Sequence, residues 1–432
     1  MKKKNISKGL LDFIAQCPSC YHVIDYLRRI LISRGYTELS EKETWKISKG
    51  GKYFAVRNSS SIIAFRIPKK KPDGLHIIAS HSDSPTFTIK PNPEIPSEGI
   101  IRLNVEKYGG MIPRSWFDRP LSVAGRVFVK SPEGPVQRLV YINRDLLLIP
   151  SLAIHMTRDS DKKDSISIQN EMLPLFSQNE KETLISRIAK EIKEKPADIL
   201  GNDLFLVSRD RPCIWGAESE FISSPRLDDL ECAYSSFEGF IDSQDEENAG
   251  ISMLCIFDNE EVGSRTKQGA ESTFLADVTE RIFEGLKMDR QTSLSLIASS
   301  FMVSADNAHA VHPNYASKAD PTNRPKMNKG IVLKHSANQK YTTDGASAAI
   351  FKMICEGADI PYQEFANNSD TPGGSTLGNI ANTQISMNTA DIGLAQLAMH
   401  SAYETAGAED AEHLRSFSEE FYKEPLPVIS IR

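Results

Sequence analysis

Cysteine is scarce in this chain: six are scattered over 432 residues. So few in so long a protein exclude a disulfide scaffold, and reduced thiols are the expectation. The one close pair, Cys17-Pro18-Ser19-Cys20, has the spacing of a redox dithiol or half a zinc knuckle. It lacks a second Cys/His pair nearby and a preceding buried strand, so a turn before a helix starting near Tyr21 is the simpler reading. A basic excess is missing too: 51 Lys and Arg face 57 Asp and Glu, a formal charge of -6. With no long basic block after Lys2-Lys3-Lys4, nucleic acid and anionic lipid are excluded as expected partners. Nor is there an apolar run long enough to span a bilayer, and Gly9 to Ala15 is too short and interrupted for a signal-peptide core. A cytoplasmic protein is expected. Internal repeats are absent, and the one notable Gly-rich stretch is Thr371-Pro372-Gly373-Gly374-Ser375-Thr376.

What is present is a large apolar fraction, 40%, enough for two domains or one large domain with an insertion. Leu10, Phe13, Ile14, Val23, Ile24, Leu27, Ile30 and Leu31 have helical spacing that Gly35 is placed to end. After Lys90 the texture changes. Pro91, Pro93 and Pro96 break the chain, and alternating pieces at 122–129 and 136–141 read as antiparallel β. A polar segment from Thr157 to Asn170 reads as loop or partly disordered chain, a charged helix is expected around Glu180 to Lys193, and strand–helix alternation resumes near Phe221.

Four apolar runs stop at acids or an imidazole: at His81, near Asp228, at Asp258-Asn259-Glu260-Glu261, and near Asp306. In open α/β sheets functional groups collect just past the carboxyl ends of strands, where loops meet in a crevice. In His81-Ser82-Asp83 the residues two apart project to the same side, so the carboxylate can hold the imidazole, as beside metal-binding histidines. Alone, the triplet describes a solvated loop histidine equally well. The acids at 258, 260 and 261 repel one another and need solvent or a cation; a solvated turn is the plain alternative. Asp228-Asp229 and the segment Ser304 to His309 repeat the placement. His400 follows Ile392, Leu394, Leu397 and Ala398, which fit a buried helix or strand-to-helix junction, and a satisfied core histidine is its alternative. Three carboxylates and two histidines suit zinc, with manganese or cobalt as substitutes, and five ligands suit a pair of ions.

These residues match a known pattern. Through His81-Ser82-Asp83-Ser84-Pro85, Pro225-Arg226-Leu227-Asp228, Asp258 to Ser264 with Gln268-Gly269-Ala270, Ser304 to Tyr315, and Met399-His400-Ser401, the chain resembles the aspartyl aminopeptidase family of dinuclear zinc metallopeptidases, nearly end to end. The resemblance implies an α/β fold with a zinc-exopeptidase-like central mixed sheet flanked by helices. It implies a catalytic domain from 1–91 and 222–432 and an inserted β-rich oligomerisation domain at 92–221. It also implies two zinc ions per subunit: Asp228 bridges, His81 and Asp306 complete one site, and Glu261 and His400 the other. Glu260 is then the general base and Asp83 orients His81. Peptides with a free amino terminus are the implied substrates, preferentially beginning with Asp or Glu. Lys334 falls where the family has its substrate-reading lysine, His309 near the substrate, and His155 where a histidine reaches a neighbouring subunit's site. A solvated lysine and an ordinary loop histidine are the alternatives for Lys334 and His155. A homo-oligomer, typically a dodecamer, is implied. Ser82 stands where threonine is common and Asp229 where asparagine is frequent, which leaves the ion's identity less defined than its presence. A broad or leucine-preferring aminopeptidase with the same metals is the runner-up, and a non-catalytic, chaperone-like shell is the reading from another class.

Overall fold

The computed structural model describes residues 5–157, 166–243, 250–371 and 373–430. Lys2-Lys3-Lys4, residues 158–165 of the polar segment and Pro372 lie outside the described residues.

Among these, a nine-stranded sheet forms the centre. Its strands Ile251–Phe257, Leu75–His81, Phe301–Ala305 and Asn388–Gly393 run parallel side by side. Such strands are covered on both faces, so they read as continuous apolar runs rather than alternating ones; every residue of the first three is buried. Antiparallel pairing of Asn388–Gly393 with Ile331–His335, and of Ser61–Arg66 with Ile251–Phe257, makes the sheet mixed. One face packs on the helices Ile6–Gln16, Cys20–Ser33, Leu227–Asp242, Gly345–Gly357 and Asp410–Lys423. The other packs on Phe274–Gly285, Arg290–Ala298 and Leu377–Gln384. This is the α/β architecture expected, with helices on both sides of a mixed sheet.

A second, six-stranded antiparallel sheet has the order Val136–Tyr141, Leu121–Val129, Ile199–Ser208, Thr86–Ser97, Ile100–Tyr108 and Leu175–Ser177. Its longest hairpin turns at Glu98-Gly99, both at positive φ, the two-residue geometry whose twist matches the strands. Its own core includes Phe87, Trp116, Val123 and Leu206. A third, five-stranded sheet joins Cys213–Trp215, Phe221–Ser224, Glu404–Gly407, Ala395–Leu397 and Ala308–His309.

Several local expectations change. The amino-terminal helical spacing is two helices, broken at Cys17-Pro18-Ser19; both cysteines there are buried and free, as the turn reading expects. The apolar run at 297–303 divides into the end of the helix Arg290–Ala298 and the strand Phe301–Ala305. Residues 392–397 fall in the strands Asn388–Gly393 and Ala395–Leu397, parted at Leu394, rather than in a helix, and His400 sits in a turn at φ 67. A short apolar run has no period by which to tell a buried strand from a helix, and tertiary pairing decided it. No helix among the described residues is long and apolar enough to cross a membrane.

Candidate active site and metal centre

Strand register gathers the acids. Phe257 pairs with His81 and Ser304 with Ala79; the segments following Phe257 and Ala305 therefore leave the sheet beside the His81 imidazole. Asn259, at φ 62, turns the chain directly after its strand, and Glu260 and Glu261 open a short 3-10 turn. Asn tolerates this left-handed conformation because its side chain bonds locally. Asp228 arrives from another layer, at the kinked start of the helix Leu227–Asp242 that follows Phe221–Ser224. His400 comes from the turn between two strands of the third sheet.

The structure brings His81, Asp228, Glu260, Glu261, Asp306 and His400 into one cluster. His81 Nε2 lies 3.6 Å from Asp228 Oδ1, 3.8 Å from Asp306 Oδ1 and 4.0 Å from Glu260 Oε2. His400 Nε2 lies 3.3 Å from Asp228 Oδ2 and 3.5 Å from Glu261 Oε1. The two oxygens of Asp228 thus face two different imidazoles. Asp83 Oδ1 stands 3.4 Å from His81 Nδ1, on the side away from the cluster. Asp229 Oδ2 accepts the His81 backbone N–H at 3.1 Å.

Burial and neighbouring charge shift Asp228, Glu260, Glu261 and His400. Burial alone would raise Asp228, but His400 and His81 hold it well below the usual carboxylate range. Burial pushes Glu260 up to about 8; His81 opposes, and Asp306, Asp83 and Asp228 add to the rise. Glu261 rises through burial and Asp228. Burial works against a protonated His400, yet Asp228, Glu404 and the Gly110 carbonyl outweigh it and lift the ring to about 9.

The donor set fits a metal. Asp228 Oδ1 and Glu261 Oε1 are buried with no hydrogen-bond partner, a costly state unless a cation lies opposite. Three groups, His81 with Asp228, Asp229 and Asp306, His81 with Glu260 and Glu261, and Asp228 with Glu261 and His400, have ligand atoms within 4.8 Å of one another. Ligands about 2.0–2.1 Å from a tetrahedral ion stand about 3.3 Å apart, close to the shorter spacings here.

Beside the cluster is a cavity of about 310 Å³ lined by Asn307, His309, Lys334, Tyr341, Phe365 and Thr376 together with the site residues. Lys334 is buried at 2% exposure. Its Nζ donates to the Asn307 carbonyl at 3.0 Å and lies 3.9 Å from Asp306 Oδ2. Burial disfavours its charge, but Asp306, Tyr341 and Asp391 more than restore it. His309 is exposed at the cavity. His155 is exposed, in the one-turn helix Ile154–Thr157, and does not line the cavity. Asp258, grouped by sequence with Glu260 and Glu261, turns away into a different depression beside Arg126 and Lys267.

Sequence reasoning missed Glu404. This buried carboxylate accepts the backbone N–H of His400 at 2.7 Å and of Asp228 at 3.0 Å, so it holds two cluster residues at once. It also missed Tyr108 and Asp391, the latter accepting from Thr342 and Thr376 at the cavity wall. A lone Glu, Tyr or Asp in an ordinary strand carries no spacing signal.

Residues 13–422 match the family model described as "Aminopeptidase I zinc metalloprotease (M18)". A "Probable M18 family aminopeptidase 2" of Clostridium acetobutylicum is 46% identical over 428 residues, 96% of this chain and 98% of that protein. "Aspartyl aminopeptidase 1" of Schizosaccharomyces pombe is 41% identical, covering 95% of this chain and 93% of its own length. Among solved structures, the S. cerevisiae mApe1 dodecamer superimposes with a TM-score of 0.86 at 27% identity, covering 97% of this chain and 96% of that one. The chain therefore belongs to the M18 family of zinc-dependent aminopeptidases, which are peptide hydrolases.

Proposed function

We propose that this aminopeptidase removes acidic amino-terminal residues, Asp and Glu, from peptides, with two zinc ions per subunit and Glu260 as general base. The observation that carries the acidic preference is Lys334, the one lysine or arginine among the described residues lining the cavity, buried within reach of Asp306. An ammonium kept charged in an enclosed site rewards an anionic side chain and penalises a neutral one. The similarity to an aspartyl aminopeptidase supports the same reading.

Asp228, His81 and Asp306 would hold one ion and Asp228, Glu261 and His400 the other; manganese or cobalt could replace zinc. When bound, the zinc pair supplies Lewis acidity to the scissile carbonyl and to water. The protein's own groups do the rest. Glu260, adjacent in sequence to a ligand but not needed as one, takes the proton of the attacking water on its carboxylate and returns it to the leaving amine. Asp83 holds the His81 ring through Nδ1, fixing its tautomer. Lys334 seats the first side chain, and His309 borders the substrate. His155 is available to a neighbouring copy, on a turn where Leu152, Ile154 and Met156 are 58%, 66% and 71% exposed. Such an apolar stretch suits coverage by another subunit, and the yeast dodecamer supports a twelve-membered assembly. We assign 1–91 and 222–432 to catalysis and 92–221 to oligomerisation, with the strands Thr86–Ser97 and Phe221–Ser224 crossing these bounds.

A leucine-preferring enzyme is the second reading, favoured by the partners Lys334 already has in Asn307 and Asp306 and by the rings of Tyr341 and Phe365. Matched Asp-, Glu- and Leu-initiated peptides, hydrolysed with and without chelator by the wild type and Lys334→Ala, decide between them. Acidic preference requires chelator-sensitive release favouring Asp or Glu, and a KM that Lys334→Ala raises more for acidic than for neutral peptides. Equal losses for both, or Leu preference in the wild type, remove the acidic assignment.

A further inference from the structure

The strand Ile100–Tyr108 belongs to the six-stranded sheet, yet its exit runs along the metal centre. Gly109 and Gly110 sit against Glu261 and His400, and Tyr108 against Asp83 behind His81. Tyr108 Oη lies 2.7 Å from Asp83 Oδ2 and 2.8 Å from Asn259 Nδ2. The direction of donation follows from the neighbours. Asn259 Oδ1 already accepts from Gln268 Nε2 at 2.7 Å and Thr266 Oγ1 at 2.8 Å, so its amide N–H is what faces the tyrosine. Tyr108 therefore donates to Asp83. Asp83 in turn accepts the backbone N–H of Glu260 at 3.1 Å and of Glu261 at 3.2 Å.

The next residue, Gly109, has φ +76, and a Cβ there would stand 3.1 Å from Glu261 Cβ and 3.2 Å from its carbonyl oxygen. The main chain is thus seated directly against Glu261. At Gly110 a Cβ would lie 3.6 Å from His400 Nδ1, and the Gly110 carbonyl is among the groups that favour the charged ring. Two residues on, the Ile112 N–H donates to the His400 carbonyl at 3.0 Å. None of Tyr108, Gly109 and Gly110 lines the substrate cavity.

We propose that Tyr108-Gly109-Gly110 is a positioning strap, through which the β-rich part of the chain holds Glu260, Glu261 and His400 in their working geometry. The proposal rests on the roles given above to those three residues. Tyr108 acts through Asp83 on two consecutive backbone N–H groups, and Gly109 acts by a close approach at positive φ that a side chain would strain. A histidine that binds metal through Nε2 uses such a carbonyl at Nδ1 to hold its ring.

Tyr108→Phe in the full-length, zinc-loaded protein tests this, because it removes one oxygen and keeps the ring. Loss of an outer partner of a metal site costs about 10- to 100-fold. The expected result is a fall in kcat of that order with KM within about threefold, and faster loss of zinc to a chelator by a similar factor. Gly109→Ala should speed zinc loss as well. Phe205→Leu is the control: its ring packs edge-on to Tyr108 at 5.8 Å, so it loosens the tyrosine without removing the hydroxyl and should leave kcat nearly unchanged.

Wild-type kcat and zinc-loss rate in Tyr108→Phe would overturn the strap. So would an equal fall in kcat for Phe205→Leu, since packing rather than the hydrogen bond would then carry the effect. Should Gly109→Ala not fold, Tyr108→Phe and its control suffice. Full activity in Glu260→Gln would instead remove the base assignment, while the rate of zinc loss would still report on the strap.

Discussion

Glu260 and Glu261 are adjacent, yet they face different partners. Glu261 Oε1 points to His400 at 3.5 Å, whereas Glu260 Oε2 approaches His81 only to 4.0 Å. That divergence is what a ligand beside a base requires, because a base needs room for water between itself and the ion. Glu260→Gln should lower kcat by about 10²–10⁴-fold, the usual share of general acid–base catalysis, while zinc content measured by elemental analysis stays near that of the wild type. Loss of metal together with activity would instead make Glu260 a ligand. The residues of this cluster were legible because each follows an apolar run and because they recur in one order. Glu404 and Tyr108 were not. Each is a single common residue, and its meaning comes from backbone N–H groups and a carboxylate that folding brings to it.

At the scale of elements, the helix Leu227–Asp242 carries Asp228 at one end and anchors in the core at the other. Phe240 there is fully buried, tilted against Tyr36 and edge-on to Tyr422, with the Arg66 guanidinium 4.4 Å over its ring. Phe240→Ala should destabilise the protein by about 3–5 kcal/mol, read as a shift in denaturation midpoint. Because the change lies far along the helix from the site, kcat per folded molecule should be unchanged. A midpoint shift below about 1 kcal/mol would mean the core closes over the gap. Strands bounded by alternating or continuous apolar residues were readable, as at Leu121–Val129 and Ile251–Phe257. Residues 392–398 were not, since the apolar run there is compatible with either period and is resolved only by pairing with Phe301–Ala305 and Glu404–Gly407.

At the scale of the molecule, three sheets share the work. The central sheet presents His81 and Asp306, the five-stranded sheet His400, and the six-stranded sheet the Tyr108 segment. If the exposed turn carrying His155 is covered by another copy, mass photometry should find a species near twelve times the 48.0 kDa chain mass, and charge substitutions at Ile154 and Met156 should reduce it. A stable monomer at working concentration would refute the assembly and leave His155 without a site to reach.

By itself the sequence determined the class of chemistry and the frame that carries it. Buried apolar runs ending in acids and histidines are local patterns, and the ligand types follow from the residues present. Only the tertiary structure decided how that chemistry is held: which acid of the 258–261 group turns away, which carboxylate steadies His400 and Asp228, and how a strand of another sheet reaches Asp83. These depend on contacts between residues tens to hundreds of positions apart, where neither period nor composition leaves a trace.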